Sequence, residues 1–151
     1  MKRVIFLFVF ALLAIPAAWA QNKSWTLTDS GWGRVDTGSR PLGASPELVM
    51  GEINITRWRK ASGTVKADFD KKTVVISQNR SKDKKYQLLT ESRPSETRDG
   101  WSYVVYDAMD SHNSRSRMWI CKHENGTERI LVFYPAYAPQ KVYAYMLKSA
   151  E

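Results

Sequence analysis

Cysteine and histidine are scarce in this sequence. The 151 residues include one cysteine, Cys121, and two histidines, His112 and His123. A single cysteine excludes an internal disulfide, so packing must stabilise the fold, and the small disulfide-stapled scaffolds are excluded. Two histidines are too few for a closed zinc site unless Cys121 contributes. The sequence also lacks a Gly-x-Ser-x-Gly motif, and with so few imidazole bases a serine-based catalytic triad is not expected.

Cys121 itself lies in a short apolar run, residues 118–121. A thiol in such a run behaves as a small hydrophobic side chain, which favours burial over pairing between chains or a reactive thiol. His123 follows two positions later, so on a β-strand the two side chains would share a face. A shared face alone does not give the geometry of a cysteine and histidine dyad, and we expect no catalytic pair here.

Long hydrophobic runs are also lacking, except for one near the start of the sequence. Residues 4–15 are apolar, follow two basic residues and precede a small-x-small triplet at residues 18–20. This pattern is typical of a secretory signal peptide. The run is shorter than the roughly 20 residues of a transmembrane helix, so no membrane span is expected. We expect cleavage near Ala20 and export to the periplasm or out of the cell.

Acidic residues are outnumbered by basic ones. The chain has 23 Lys and Arg against 15 Asp and Glu, a formal net charge of +8. Removal of residues 1–20 would take away Lys2 and Arg3, so the charge of the remaining domain would be about +6. This excess favours anionic partners such as lipid headgroups or acidic glycans at an envelope surface, although it also simply keeps a protein soluble. Export argues against nucleic acid as the partner.

Short segments rich in β-branched and aromatic residues recur from residue 51 onward, separated by turn residues and charges. The pattern predicts an all-β domain, a single antiparallel meander of about eight strands over residues 51–148. Asn125-Gly126 lies between two of the segments and predicts a two-residue hairpin turn. The segments are residues 52–57, 65–69, 73–77, 85–90, 101–108, 117–122, 128–134 and 141–148.

Before the meander, residues 21–50 are expected to be largely irregular after a first strand near Trp25. Residues 29–45 hold four glycines and a proline, which favours an irregular crossing segment. Ser45 followed by proline could cap one short helical turn. The chain is therefore divided into a signal peptide, residues 1–20, and one all-β domain, residues 21–151, which has the usual size of a single domain.

Two of the predicted strands are apolar on both faces. In residues 101–108 and 141–148, large apolar side chains occupy odd and even positions alike. A single sheet with one wet face would alternate, so we favour a closed or partly open barrel of lipocalin-like size over a two-layer sandwich. The second apolar face would then lie under a loop or against a partner, and the protein is expected to be a monomer or a homodimer.

The first functional hypothesis is binding without catalysis. An eight-stranded barrel can enclose one small ligand, here a small apolar or amphipathic molecule or a glycan. Aromatic side chains on the strands are the candidates to line such a site. A register slip of one residue would invert this choice, because it exchanges the two faces of a strand. The candidates are Trp58, Trp101, Trp119 and Tyr143.

A second hypothesis is a surface domain that recognises an anionic glycan or lipid through basic hairpin tips. Two segments concentrate cations, and one includes an aromatic side chain that could stack on a ring. The alternative interpretation is that charge at hairpin tips prevents edge-to-edge aggregation. The candidate residues are Arg57, Arg59, Lys60, Arg80, Lys82, Lys84 and Lys85.

A third hypothesis, a metal-dependent enzyme, rests on Asp107, Asp110 and His112, which lie close together at a predicted strand end. Carboxylate and imidazole groups in one loop could hold a divalent cation. Asp and Asn are also ordinary turn formers, and turn formation is the favoured interpretation. The sequence therefore predicts neither a metal site nor a cofactor, and the protein is not expected to be an enzyme.

Overall fold

Nine β-strands follow one another in the computed structural model of the protein, which describes residues 22–35, 53–91, 95–96, 100–134 and 141–150. All neighbouring strands are antiparallel. The strands are β1 (Lys23–Val35), β2 (Ile53–Asp68), β3 (Thr73–Gln78), β4 (Lys84–Glu91), β5 (Ser95–Glu96), β6 (Trp101–Asp110), β7 (Arg115–His123), β8 (Glu128–Tyr134) and β9 (Lys141–Ser149).

Eight of the strands form a closed barrel. The order is β4-β3-β2-β1-β9-β8-β7-β6, and β4 also pairs with β6. The first strand joins the last, because β1 pairs with β2 on one edge and with β9 on the other. The two-residue β5 lies beside the start of β6. The predicted all-β meander and its closure into a barrel are therefore confirmed.

Strand direction divides the connections between the two ends of the barrel. The β3–β4 turn, residues 79–83, and the β6–β7 turn, residues 111–114, lie at the same end, because Tyr86 of β4 pairs with Asp110 of β6. The last residue of β8 and the first of β9 meet at this end as well. We call this end the mouth, and the opposite end, which carries the turns at residues 69–72 and 124–127, the base.

Alternate side chains of the strands fill the barrel interior. The indole nitrogen of buried Trp25 donates a hydrogen bond of 2.8 Å to the carboxylate of Glu128 near the base, which satisfies the one polar atom of that ring. Burial of a large apolar side chain contributes about 1.5–3 kcal/mol, so this core dominates stability. It includes Trp25, Leu27, Val65, Val74, Ile76, Tyr86, Leu88, Val104, Tyr106, Met118, Ile120, Ile130, Val132, Tyr145 and Leu147.

The opposite face of β6 to β9 carries a second buried group, which we call the outer apolar cluster. Its members alternate along each strand with the interior residues, which is why these strands are apolar on both faces. The Trp119 ring stacks on Tyr103 with a centroid separation of 5.2 Å and lies at the same distance from Phe133. The buried members are Tyr103, Trp119, Cys121, Leu131, Phe133, Val142 and Ala144.

The N-terminal strand is longer than expected. β1 continues to Val35, so residues 29–35 are not part of an irregular segment as predicted. Gly31 fits because Ile55 and Trp58 pack over it, and a Cβ atom there would lie 2.8 Å from Ile55 Cγ2. The expected helical turn at Ser45 lies outside the described residues.

The two segments expected at residues 52–57 and 65–69 are parts of one strand, β2. A change of register divides β2 into two halves, because Leu27 pairs with Gly63 whereas Asp29 pairs with Lys60. β3 pairs with β2 only from Gly63 onward. The first half of β2 therefore extends beyond β3 toward the mouth.

The hairpin at Asn125-Gly126 is in the predicted place but has a different turn. Of these two residues, only Gly126 adopts a positive φ, 87°. Its N–H donates to the carbonyl of His123, and the His123 N–H donates to the carbonyl of Thr127. These bonds describe a three-residue loop in which a turn is followed by a left-handed glycine. The Asn125 side chain accepts from the Thr127 N–H at 2.9 Å and fixes the loop.

Gly63 tests the packing of β2 against β3. Its φ is 155°, and a Cβ atom there would overlap the carbonyl oxygen of Ser77 on β3. We expect Gly63→Ala to lower the free energy of unfolding by about 2–4 kcal/mol, as measured by urea denaturation. Gly126→Ala is the control, because nothing lies within 4 Å of the added methyl and only the backbone conformation costs about 1 kcal/mol. Equal losses in the two variants would contradict the close approach.

Candidate functional site

The mouth of the barrel holds a basic cleft of about 620 Å³. This volume lies within the roughly 300–1,000 Å³ usual for small-molecule sites. The β3–β4 turn forms one side, the β6–β7 turn another, and the ends of β8 and β9 complete it. Four lysines face two aspartates. The lining residues are Ser81, Lys82, Asp83, Lys84, Lys85, Tyr86, Asp110, Ser111, His112, Ser114, Tyr134, Lys141 and Tyr143.

Lys84 reaches across the mouth from β4 to β9. Its ammonium group donates a hydrogen bond of 3.0 Å to the hydroxyl of Tyr145. The same Nζ lies 4.8 Å from the ring centroid of Tyr143 and 5.6 Å from that of Tyr145. Both separations are within the range of cation–π attraction. The side chain is therefore held over two rings with its charge at the cleft.

Two tyrosines and an aspartate form a hydrogen-bonded chain beneath the cleft. The hydroxyl groups of Tyr86 and Tyr134 lie 3.3 Å apart. Tyr134 also hydrogen-bonds Asp110 Oδ2 at 3.2 Å. The other carboxylate oxygen, Oδ1, accepts the backbone N–H groups of His112 and Ser114, each at 2.9 Å. Asp110 thus ties the β6–β7 turn to β8 and β4.

The protonation states of this chain follow from burial and hydrogen bonding. Burial and the nearby Tyr145 raise the pKa of Tyr86 well above its usual range. Burial also raises the pKa of Tyr134 to about 12. Burial by itself would raise the pKa of Asp110, but the hydrogen bonds it accepts outweigh that effect and hold the pKa below its ordinary value. At neutral pH the chain therefore consists of two neutral phenols and one carboxylate.

A second wall of the mouth comes from β9, β1 and the first half of β2. Trp32 pairs with Arg57 on one side and with Tyr143 on the other, and directly paired residues share a face of the sheet. The Arg57 guanidinium lies 4.9 Å from the Trp32 ring centroid. Two residues earlier on β1, Ser30 pairs with Arg59 and with Tyr145. Both arginines therefore lie on the same side of the wall as the cleft tyrosines.

Most of the cations predicted as an anion site are brought together at this end. Lys82, Lys84 and Lys85 line the cleft, and the two arginines lie on its second wall. Lys60 is on the opposite face of β2, where its ammonium group pairs with Asp29 at 2.9 Å. Arg80 lies in the β3–β4 turn with a φ of 64° and an exposed side chain.

The four predicted aromatic residues do not converge on one cavity. Tyr143 lines the mouth cleft. Trp58 lies on the outer side of β2 and is 40% exposed. Trp119 belongs to the outer apolar cluster, and Trp101 packs against that cluster. Because the strand faces could not be assigned from sequence, one of these four residues lies at the site that the fold creates.

Cys121 is buried in the outer apolar cluster, as expected. Burial raises the pKa of its thiol to about 12, against the opposing effect of Arg129. The Arg129 guanidinium lies 3.9 Å from the ring centroid of Trp101, and His123 contacts the same ring. A protonated, buried thiol is a poor nucleophile and a poor metal ligand, so this cluster has a packing role.

The acidic residues considered for a metal site are divided between two surfaces. Asp107 pairs with Arg117 at 3.1 Å and accepts a hydrogen bond from Thr90. Asp110 holds the β6–β7 turn through the backbone N–H of His112. Within the described part of the chain, no three His, Cys, Asp or Glu side chains converge on a point where a metal ion could be held.

A smaller cleft of about 160 Å³ lies toward the base. Phe69 and Tyr106 stack beside it with ring centroids 5.9 Å apart, and Leu88 and Leu89 contribute apolar surface. The volume is below the usual range for a small-molecule site. The mouth is therefore the stronger candidate.

Sequence reasoning missed several residues of the mouth. Lys141 and Tyr134 line the cleft, Tyr145 accepts the Lys84 hydrogen bond, and Trp32 stacks with Arg57. The available signal was the alternation of tyrosines along residues 141–148, which placed two phenol rings on one face. Their meeting with Lys84 depends on barrel closure, which brings β4 and β9 to opposite sides of one opening.

Comparison with models of known protein families, with characterised proteins and with solved structures finds no match to this chain. Among the described residues, no helix has both the length and the apolar character needed to cross a bilayer. The geometry of the mouth is therefore the basis for the functional conclusion.

Asp110 provides a test of the hydrogen-bonded chain. Because its folded-state pKa is depressed, its stabilising effect is complete above the unfolded pKa of about 3.9 and is lost as pH falls through the folded value. We expect Asp110→Asn to cost about 1 kcal/mol of unfolding free energy at neutral pH, and this difference from the wild type to shrink at acid pH. Urea denaturation across the pH range measures it. Asp83→Asn, which removes the same charge from the cleft but touches none of these hydrogen bonds, is the control for the loss of charge. A pH-independent Asp110→Asn cost would contradict the assignment.

Proposed function

We propose that this protein is an exported, non-catalytic binding domain that recognises an anionic group at the mouth of its barrel. The group is a phosphate, sulfate or carboxylate carried by a glycan or by a lipid headgroup. The signal-peptide pattern of residues 1–20 supports export. The arrangement of cations around one opening supports anion recognition.

The position of Lys84 is the observation that carries this proposal. Its ammonium group is fixed by the Tyr145 hydroxyl and by two aromatic rings, so little rotamer entropy is lost when an anion binds it. Lys82, Lys85 and Lys141 surround the same cleft, and their charge exceeds that of the two aspartates. Charge-assisted hydrogen bonds from such a group contribute about 1.5–3 kcal/mol each.

The packed interior supports binding at the mouth rather than along the barrel axis. Met118, Ile130 and Val132 are fully buried and belong to the one apolar cluster that fills the barrel interior. An apolar ligand inside the barrel would have to displace these side chains. A small apolar or amphipathic ligand, the first hypothesis from the sequence, is therefore less well supported than an anionic headgroup or glycan.

Binding is favoured over catalysis by the chemistry of the cleft. The phenols of Tyr86 and Tyr134 remain protonated at neutral pH because their pKa values are raised. Asp110 accepts hydrogen bonds from the turn on Oδ1 and from Tyr134 on Oδ2, and its pKa is held below its ordinary value. A general base needs a pKa near the working pH. These groups therefore support a rigid cleft rather than a proton-transfer site.

Replacement of Lys84 tests the site. We expect Lys84→Gln to weaken binding of a sulfated oligosaccharide or of phosphatidylglycerol vesicles about tenfold, equivalent to about 1.4 kcal/mol. Lys66→Gln is the matched control, because Lys66 is an exposed lysine on the part of β2 that is nearer the base. The two probes separate a glycan source of the anion from a lipid source.

Salt dependence completes that experiment. Raising the salt concentration from about 0.1 M to about 1 M shortens the screening length from about 10 Å to about 3 Å. Binding by the wild-type protein should fall steeply over this range, and the Lys84→Gln variant should show a shallower dependence. Equal affinities for the two lysine variants, or binding of both probes that ignores salt, would refute anion recognition at the mouth.

Export is tested by the N-terminal sequence of the protein recovered from its own compartment. We expect this sequence to begin at Gln21, because the cleavage pattern ends at Ala20. The Ala20→Arg variant, which places a large charged residue at the cleavage position, should retain the leader. A recovered wild-type protein that still carries residues 1–20 would contradict processing at this position.

A further inference from the structure

The first half of β2 has an open backbone edge. Residues 53–60 pair with β1 on one side. On the other side, pairing with β3 ends at Gly63. One further backbone hydrogen bond runs from the Asn79 N–H to the Ser62 carbonyl. Beyond that contact, no described strand pairs with β2. Such an edge presents unpaired N–H and C=O groups that can template another strand.

The orientation of the open groups follows from the last paired residue. The carbonyl of Ser62 points away from β1, because it accepts the Asn79 N–H at 2.8 Å. Side chains of β2 keep alternating across the register shift, since Ala61 and Val65 pack in the interior while Lys60 lies on the outer side beside Asp29. The backbone groups of β2 therefore alternate in direction there as well. Lys60 and Trp58, two and four residues away from Ser62, therefore direct their backbone N–H and C=O groups to the open side.

The side chains at this edge are basic on one face and aromatic on the other. Arg57 and Arg59 lie on the mouth side of the strand and are exposed. Trp58 lies on the outer side and is 40% exposed. Lys60 shares that outer side, with its side chain 90% exposed beside Asp29. An added strand would therefore meet cations on one face and an indole on the other.

We propose that this edge binds an extended, acidic segment of another polypeptide by strand addition. Backbone hydrogen bonds give affinity in this mode, and alternate side chains give selectivity. Acidic side chains of the partner face the two arginines, and apolar side chains face Trp58. A second copy of this chain is disfavoured as the partner, because pairing two such edges would oppose like charges. The proposal is independent of anion binding in the mouth cleft.

A peptide of about eight residues that alternates Glu and Val is the probe. We expect it to bind the wild-type protein, and the corresponding Lys and Val peptide to bind at least tenfold more weakly. Methylating the backbone nitrogens at all Glu positions, or at all Val positions, blocks only one edge of the peptide. Strand addition predicts that one methylated peptide loses binding at least tenfold while the other retains it. Equal effects in the two peptides would overturn the proposal in favour of side-chain attraction alone.

Trp58→Pro tests the backbone hydrogen bonding from the protein side, because it removes the N–H of residue 58. Proline is tolerated on an edge strand where the N–H faces outward, so circular dichroism should report an unchanged fold. Peptide binding should fall at least tenfold further than in Trp58→Ala, which loses the indole but keeps the N–H. Equal binding in these two variants would contradict strand addition.

The two proposed sites are distinguished in the same preparation. Trp58→Pro leaves every mouth lysine in place, so it should still bind the sulfated oligosaccharide. Conversely, Lys84→Gln should weaken binding of the oligosaccharide and retain binding of the peptide. The two variants together then show that the sites are separate. A different result would overturn the acidic partner: the wild-type protein self-associates, Trp58→Pro abolishes that association, and no peptide binds. The edge would then be assigned to pairing with a second copy of the chain.

Discussion

The pairing of β1 with both β2 and β9 is the constraint on which the rest of the structure depends. It joins the two ends of the meander and removes the free edges that an open sheet would have at these strands. Closure also decides which face of each strand is interior. Once Trp25 and Leu27 face inward from β1, the cross-strand partners Val65 on β2 and Leu147 on β9 must do the same.

The bulge near Thr28 modifies this closure on the side of the mouth. Both partners of β1 change register between Leu27 and Asp29, so the three strands β9, β1 and β2 bend as a unit. Above the bulge β2 continues without β3, which leaves one wall of the opening taller than the other. The taller wall carries Trp32 and Arg57, and the lower rim carries Lys84. The basic cleft and the open strand edge thus both lie on the mouth side of this irregularity.

The electrostatics of the mouth depend on contacts across this opening. Lys84 on β4 and Tyr145 on β9 are 61 residues apart in sequence, yet their side chains are hydrogen-bonded. Asp110 stabilises the β6–β7 turn and accepts from Tyr134, which fixes the rim against the barrel. These contacts place the Lys84 charge at the cleft that Lys82, Lys85 and Lys141 also line. The concentration of four lysines around one cleft is the reason that we associate the mouth with an anionic partner.

Much of the fold could be predicted from the sequence, because alternation and turn residues are local signals. The segment at residues 128–134 matches β8 from end to end. Residues 29–35 were misjudged, since glycines usually mark irregular chain, whereas Gly31 is the position where Ile55 and Trp58 pack over the strand. Lys82, Lys84 and Lys85 were predicted as part of an anion site because cations are concentrated in that segment. Their tyrosine partners could not be predicted, because those contacts require the closed barrel.

The most direct test of the account is an NMR titration of the uniformly nitrogen-15-labelled protein with a sulfated oligosaccharide. If the mouth binds anions, amide shifts should change around residues 82–85, 111–114 and 141–145, and the base turns at residues 69–72 and 124–127 should not respond. Shift changes spread evenly over exposed lysines such as Lys66 and Lys71, or concentrated at the base, would contradict the central claim.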